Sequence, residues 1–76
     1  MNMRVVAVAP GDEHPYDEDE WRDAIVLVRS GELELCGVSG ARSSFGRGDL
    51  LYLQGVPLRA LHNPGSEPTV LVAVSR

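Results

Sequence analysis

The stretch that indicates the fold is Ala24-Ile-Val-Leu-Val-Arg-Ser-Gly-Glu-Leu-Glu-Leu-Cys36, which contains two strand-like segments separated by a turn at Gly31. Apolar and acidic residues alternate in the second segment, which places Leu33 and Leu35 on one face of a strand. The first segment is apolar on both faces, as is Val70–Val74 near the end of the chain. A strand of that kind is covered on both sides. Because 76 residues make only a small domain, we expect the second cover to be another copy of the chain.

A helix over the first segment is the alternative interpretation. The i, i+3, i+4, i+7 spacing of an amphipathic helix is met by Trp21, Ala24, Ile25 and Val28. We favour a strand, because Val26 and Leu27 between these positions are apolar as well, and because Ile-Val-Leu-Val is rich in β-branched residues.

Turn signals divide the whole chain into short segments. They recur as Pro10-Gly11-Asp12, Ser30-Gly31, Ser39-Gly40, Gly46-Arg47-Gly48, Gly55-Val56-Pro57 and Asn63-Pro64-Gly65. Short strands between turns at this spacing are typical of a sandwich or barrel. We therefore predict one all-β domain over residues 1–76, with an N-terminal strand over 1–10, an acidic loop over 11–20 and the barrel core over 21–76.

Composition and charge exclude several classes of protein. Apolar residues make up 43% and charged residues 24%, which is ordinary globular composition. The formal net charge is −4, and the acidic residues concentrate before residue 24, so binding to nucleic acid or to an anionic membrane is disfavoured. The longest apolar runs have five residues, too few to span a bilayer. Because Cys36 is the only cysteine, no intrachain disulfide forms, and we expect a cytoplasmic protein.

The segment Gly48-Asp-Leu-Leu-Tyr-Leu-Gln-Gly-Val-Pro-Leu-Arg-Ala-Leu-His-Asn-Pro-Gly65 resembles the second motif of the cupin superfamily. That motif runs Gly, five residues, Pro, one residue, Gly, two residues, His, three residues, Asn, and Gly48 and Asn63 keep its spacing. The segment 24–34, followed by Phe45-Gly-Arg-Gly-Asp49, resembles the strands and turn of the first motif. The resemblance covers roughly residues 21–75 and implies a small cupin-type jelly-roll barrel built from two sheets.

The resemblance also implies where a metal would bind, and this chain lacks the residues. Metal-binding cupins use a His-x-His pair, a Glu and a third His. The corresponding positions fall on Glu18 and Glu20 (or on Asp17 and Asp19), on Ala24 and on Arg59, and Gln54 takes the place of the motif's Pro. His14 and His62 stand alone in the sequence and indicate no site of their own. We therefore predict no metal and no other cofactor.

Arg59 is the most informative of these departures. Its guanidinium stays charged and has no lone pair for a metal. By alternation along its strand, Arg59 shares a face with Leu61 and points into the barrel, while His62 points out. A buried charge needs a partner, so we predict that Arg59 pairs with Glu20 or Asp19, or accepts a small anionic ligand.

These observations give a ranked set of functional hypotheses. The first is a metal-free cupin-like homodimer that binds a small ligand or has a structural role. Its ligand site inside the barrel is predicted to comprise Arg59, Glu20, Tyr52, Gln54 and Trp21. The second is a small enzyme with a non-standard site, of the isomerase, cyclase or dioxygenase type, since cupins include such enzymes. The third is a protein-interaction module in which the acidic loop docks on a basic partner.

Overall fold

Two four-stranded antiparallel sheets face each other in the computed structural model, which describes all residues from Met1 to Arg76. The eight strands are β1 Asn2–Val8, β2 Glu13–Pro15, β3 Ile25–Ser30, β4 Glu32–Gly37, β5 Arg42–Gly46, β6 Leu50–Leu51, β7 Leu58–His62 and β8 Thr69–Ser75. A single 3₁₀ turn, Glu18–Trp21, is the only helical segment. No helix of the chain has the length and apolar character needed to cross a membrane.

Consecutive strands belong to different sheets, except that β4 and β5 form a hairpin within one sheet. Sheet A has the order β1-β8-β3-β6 and sheet B has the order β2-β7-β4-β5. The prediction of an all-β jelly-roll barrel is confirmed. The strand interpretation of Ile25–Val28 is confirmed too, and the helical alternative is wrong, because β3 pairs with β8 on one side and with β6 on the other.

The hydrophobic core lies between the sheets. Leu33, Leu35 and Leu61 of sheet B point towards sheet A. They meet an inward-facing set from sheet A that includes Val26, Val28, Leu51, Leu71 and Ala73. Full burial of each large aliphatic side chain contributes about 1.5–3 kcal/mol. This shared layer therefore holds the two sheets together.

The outward side of sheet A is apolar as well. Alternate residues of its four strands face away from the core, and we call this set the apolar face: Met3, Val5, Ala7, Ile25, Leu27, Leu50, Val70, Val72 and Val74. All nine are apolar, and the polar residues of β3, Arg29 and Ser30, lie at the bulge where Ser30 pairs with Val70. The expectation that the two apolar runs belong to strands with two apolar sides is thus confirmed.

The outward side of sheet B has the opposite character. Glu34 accepts a hydrogen bond from Arg42 at 2.7 Å and lies 2.9 Å from Nδ1 of His62. These contacts hold the pKa of Glu34 below its ordinary value. His62 therefore points outward, as predicted. Its contact with a carboxylate makes this surface a network of paired charges.

Residues 11–20 form more structure than the predicted acidic loop. Glu13–Pro15 pair with β7 as strand β2, and Asp17 caps the 3₁₀ turn through a hydrogen bond from the N–H of Asp19. The Tyr16 hydroxyl donates to Glu18 and to the carbonyl of Leu53. Partial burial and the Glu18 carboxylate raise the pKa of Tyr16 to about 12. Sequence pattern missed β2 because its three residues are too short to show an alternation.

The turn between β3 and β4 depends on the absence of a side chain at Gly31. Its φ of +83° is in the left-handed region, and a Cβ atom there would lie 2.6 Å from the carbonyl oxygen of Pro68 and 2.7 Å from Cα of Thr69. The Thr69 hydroxyl also donates to the carbonyl of Glu32 in this contact. The turn therefore packs directly on the start of β8.

Gly31→Ala should destabilise the fold by about 2–4 kcal/mol, because it adds a steric clash with backbone atoms to an unfavourable φ. Gly40→Ala is the matched control. Gly40 has a φ of +92°, and a Cβ atom there would have no other atom within 4 Å, so this substitution should cost only about 1–2 kcal/mol. Urea unfolding followed by circular dichroism gives both values. Equal losses of unfolding free energy in the two variants would show that the close packing of Gly31 on β8 adds nothing to the cost of a side chain there.

Candidate functional site

Arg59 lies on the outside of the barrel, and the prediction that it points inward is wrong. Cys36 pairs with Ala60 and Gly37 pairs with Leu58, so Arg59 is an extra residue on β7 in a β-bulge. A bulge interrupts the alternation of side chains along a strand. As a result Leu58 packs against the core, while the Arg59 side chain is 51% exposed.

The predicted partners of Arg59 are wrong as well. Its guanidinium donates two hydrogen bonds to Glu13, at 3.1 and 3.3 Å, and does not reach Glu20 or Asp19. Glu13 belongs to β2, whose pairing with β7 places its carboxylate on the outer side of sheet B. The hydrogen bonds from Arg59 hold the pKa of Glu13 below its ordinary value. Arg59 is therefore a paired surface residue.

Glu20 and Trp21 belong to a polar and aromatic group where the edge strands β1 and β2 meet. We call Arg4, His14, Glu20 and Trp21 the seam cluster. Glu20 accepts from Arg4 at 2.8 Å and lies 2.9 Å from Nε2 of His14. The Arg4 guanidinium stacks over the Trp21 ring at 4.9 Å, and the His14 ring meets Trp21 edge-on at 6.0 Å. The cluster closes one side of the barrel.

The charges of the seam cluster satisfy one another. Partial burial opposes ionisation of Glu20, but the hydrogen bonds from His14 and Arg4 outweigh it and lower the pKa of Glu20. Trp21 is fully buried, and its indole N–H has no acceptor. Trp21 therefore stabilises the seam through the contacts of its ring and not through a hydrogen bond. The arrangement stabilises the seam and leaves no free donor set for chemistry.

Tyr52 and Gln54 lie at a different place, next to sheet A. The Tyr52 hydroxyl donates to Oε1 of Gln54 at 3.1 Å, and the backbone N–H of Asp23 donates to the same oxygen at 2.9 Å. Asp23 has a φ of +57° and is the only non-glycine residue with a positive φ. Gln54 thus fixes the Tyr52 ring and the strained Asp23 backbone beside each other.

An open groove of about 590 Å³ lies at this end of the apolar face. Its lining is Met1, Asp23, Ile25, Tyr52, Val74, Ser75 and Arg76. The apolar part comes from Met1, from the first residue of β3 and from Val74 near the end of β8, and the other residues supply the polar part. The groove combines an apolar floor with a hydroxyl and two opposite charges.

The structure therefore separates the five predicted site residues into three places. Arg59 lies outside sheet B, Glu20 and Trp21 lie in the seam cluster, and Tyr52 and Gln54 lie beside the groove. This separation removes the acid–base pairs available to the enzyme hypothesis, namely Glu20 with Arg59 or with Tyr52. Sequence reasoning missed Arg4, His14 and Asp23. Arg4 and His14 lie on different sheets and meet only at Glu20, and the contact of Asp23 with Gln54 spans 31 residues.

A protein-family model described as a cupin domain matches residues 4–75, almost the whole chain. The chain belongs to the cupin family. Among solved structures, this cupin domain is similar to a Cupin 2 conserved barrel domain protein from Salinispora arenicola CNS-205, with a TM-score of 0.66 and 29% sequence identity. The alignment covers 93% of this chain and 58% of the other, so the domain spans little more than half of that protein. No curated protein matches the chain.

The residues of this cupin domain do not fit the metal that cupins commonly bind. At the four ligand positions, Ala24 is a buried core residue without a donor atom, and Arg59 is paired outside the barrel. Glu20 is already held by Arg4 and His14, and the guanidinium of Arg4 repels a cation. Nowhere in the chain do three or more His, Cys, Asp or Glu side chains form a group suited to a metal.

Glu20→Gln should destabilise the domain by about 0.5–1 kcal/mol at neutral pH, because it removes the charge that Arg4 and His14 share. Since folding lowers the pKa of Glu20, its contribution is complete above a pH of about 5 and is lost as the pH falls through the lowered pKa. The variant should therefore lose less stability on acidification than the wild type. Urea unfolding across this pH range measures the difference. Asp12→Asn, an exposed carboxylate on the same segment, is the control and should follow the wild type.

The untagged domain should purify without stoichiometric iron, manganese, nickel or zinc, because its residues supply no ligand set. Added divalent metal should leave the melting temperature within about 1 °C, since only binding to the folded state raises it. Elemental analysis and a thermal-shift titration measure these quantities. A stoichiometric metal would show that the side chains rearrange around an ion.

Proposed function

We propose that this cupin domain acts without a metal as the subunit of a homodimer, with the two copies in contact through the apolar face. The observation that carries the proposal is the set of nine apolar side chains that face outward on sheet A, interrupted by polar residues only at the β3 bulge, where Arg29 and Ser30 lie. Monomeric proteins rarely expose apolar patches of more than a few hundred Å². A third layer is therefore needed, and one chain of 76 residues supplies only two.

A second copy is the partner that suits this surface best. The apolar face has no charge, so it meets an identical face without electrostatic repulsion, as an isologous dimer requires. The outer side of sheet B carries Glu13, Glu34, Arg42 and Arg59 in ion pairs within the chain. These pairs are stable in solvent and need no cover. The difference between the two sheets selects sheet A for the contact.

The size of the face sets the strength of the expected dimer. Four strands about 4.8 Å apart, the longest with seven residues rising about 3.3 Å each, make a face of at most about 19 Å by 23 Å. This is smaller than the ~800 Å² per partner of a standard interface. We therefore expect a dissociation constant in the micromolar range, about 1–100 μM.

The other functional hypotheses lose support from the geometry. An anionic ligand inside the barrel has no anchor, because Arg59 is outside. The acidic residues proposed as a docking arm are used within the chain: Glu13 binds Arg59, Asp19 binds Arg22 and Glu20 binds Arg4. In the proposed homodimer the apolar face has the structural role of joining the two subunits. We assign small-ligand binding to the groove at the end of this face.

Val5→Glu should shift the domain to the monomer, because it places a charge on the apolar face, at a side chain of strand β1 that is 58% exposed in one chain. Val38→Glu is the matched control, since Val38 is 68% exposed in the turn after β4, away from sheet A. Sedimentation velocity over about 1–200 μM protein spans the expected dissociation constant. We expect wild type and Val38→Glu to dimerise alike. Val5→Glu should remain monomeric up to protein concentrations at least tenfold higher than those at which the wild type dimerises. A wild-type monomer at every concentration would contradict the homodimer.

A further inference from the structure

Two unpaired opposite charges border the apolar face at the same end. Asp23 precedes β3, and Arg76 follows β8, whose outward residues are Val70, Val72 and Val74. Ile25 and Val74 are direct cross-strand partners, so Asp23 and Arg76 lie just beyond the ends of neighbouring strands. Both side chains line the groove, yet neither forms an ion pair within the chain.

We propose that the two-fold axis of the homodimer runs parallel to the strands, between β3 and β8, so that Asp23 of each copy pairs with Arg76 of the partner subunit. This inference rests on the homodimer proposed above and adds its geometry. The strands β3 and β8 are the two central strands of sheet A. An axis between them exchanges the two strands across the interface. In an isologous contact, residue i meets residue j and j meets i, so the dimer contains two equivalent Asp23–Arg76 ion pairs.

The cross-strand register supports the same axis. Leu27 pairs with Val72 and Ile25 pairs with Val74 within one sheet. Exchange of β3 and β8 therefore brings apolar rows of equal height against each other, as in aligned sheet packing. An axis perpendicular to the strands would place Asp23 near Arg29 of the partner subunit instead. Arg29 falls where the register of β3 shifts and does not line the groove, so it is the less suitable partner.

The proposed axis also gives the groove an enclosed form. The groove of each copy lies beside the Asp23–Arg76 contact and opens towards the partner. The two grooves then face each other and form one chamber with a Tyr52 hydroxyl from each copy. Gln54, which binds both Tyr52 and Asp23, is a positioning residue for this chamber. Neither copy encloses the chamber alone.

Reciprocal charge reversal tests the contact. Asp23→Lys places two cations in each contact of its homodimer, and Arg76→Glu places two anions there. Each variant alone should dimerise about tenfold more weakly than wild type. An equimolar mixture should recover wild-type affinity. In the mixed dimer, the introduced lysine of one variant meets the introduced glutamate of the other in one contact, and Arg76 meets Asp23 in the second. Sedimentation velocity and native mass spectrometry, which resolves the two masses, measure the recovery.

Three further measurements make the result decisive. Arg29→Glu is the matched control and should dimerise like wild type. Asp23→Asn, which tolerates the positive φ at this position, should weaken dimerisation severalfold and replaces Asp23→Lys if that variant does not fold. A wild-type dimer with no recovery in the mixture would overturn the axis and leave the homodimer standing. Loss of dimer in Arg29→Glu would assign the perpendicular axis. A wild-type monomer would refute the homodimer itself.

Discussion

The apolar character of sheet A on both of its sides is the constraint on which the rest of this structure depends. Its inward residues make the core with sheet B, and its outward residues are just as apolar. The inward set is satisfied within the chain because sheet B supplies a second layer. The outward set has no such layer, since a domain of this size has too few residues to build one. The monomer fold is thus complete in its core and incomplete at its surface.

Charge is arranged around this constraint. Ion pairs cover the outer side of sheet B, and the Arg4–Glu20–His14 contacts close the seam between the edge strands. Each of these pairs is partly solvated and adds little to stability by itself. Because these charges are paired within the chain, the outer side of sheet B and the seam need no partner protein to cover them. Two unpaired charges at one end of sheet A, Asp23 and Arg76, lie beside the apolar face.

The loss of the usual cupin metal site follows from more than ligand replacement. Ala24 contributes a methyl group to the core, and the extra residue at Arg59 turns its side chain towards Glu13 on the outside. The inside of the barrel is filled by packed aliphatic residues and by the Trp21 ring. The inside of the barrel is therefore a packed core, and the apolar surface that remains exposed lies on the outside of sheet A.

The sequence by itself determined the strands of the core, the two apolar sides of β3 and β8, and turns such as Asn63-Pro64-Gly65, where the Asn63 side chain accepts a hydrogen bond from Gly65. These features follow from local periodicity and turn chemistry. Only the tertiary structure decided the direction of Arg59, because a bulge exists only relative to the strand that it pairs with. It also brought Arg4 of one sheet and His14 of the other together at Glu20, and it placed Asp23 against Gln54, 31 residues away. Such contacts depend on how strands cross between the sheets, and no local pattern records that.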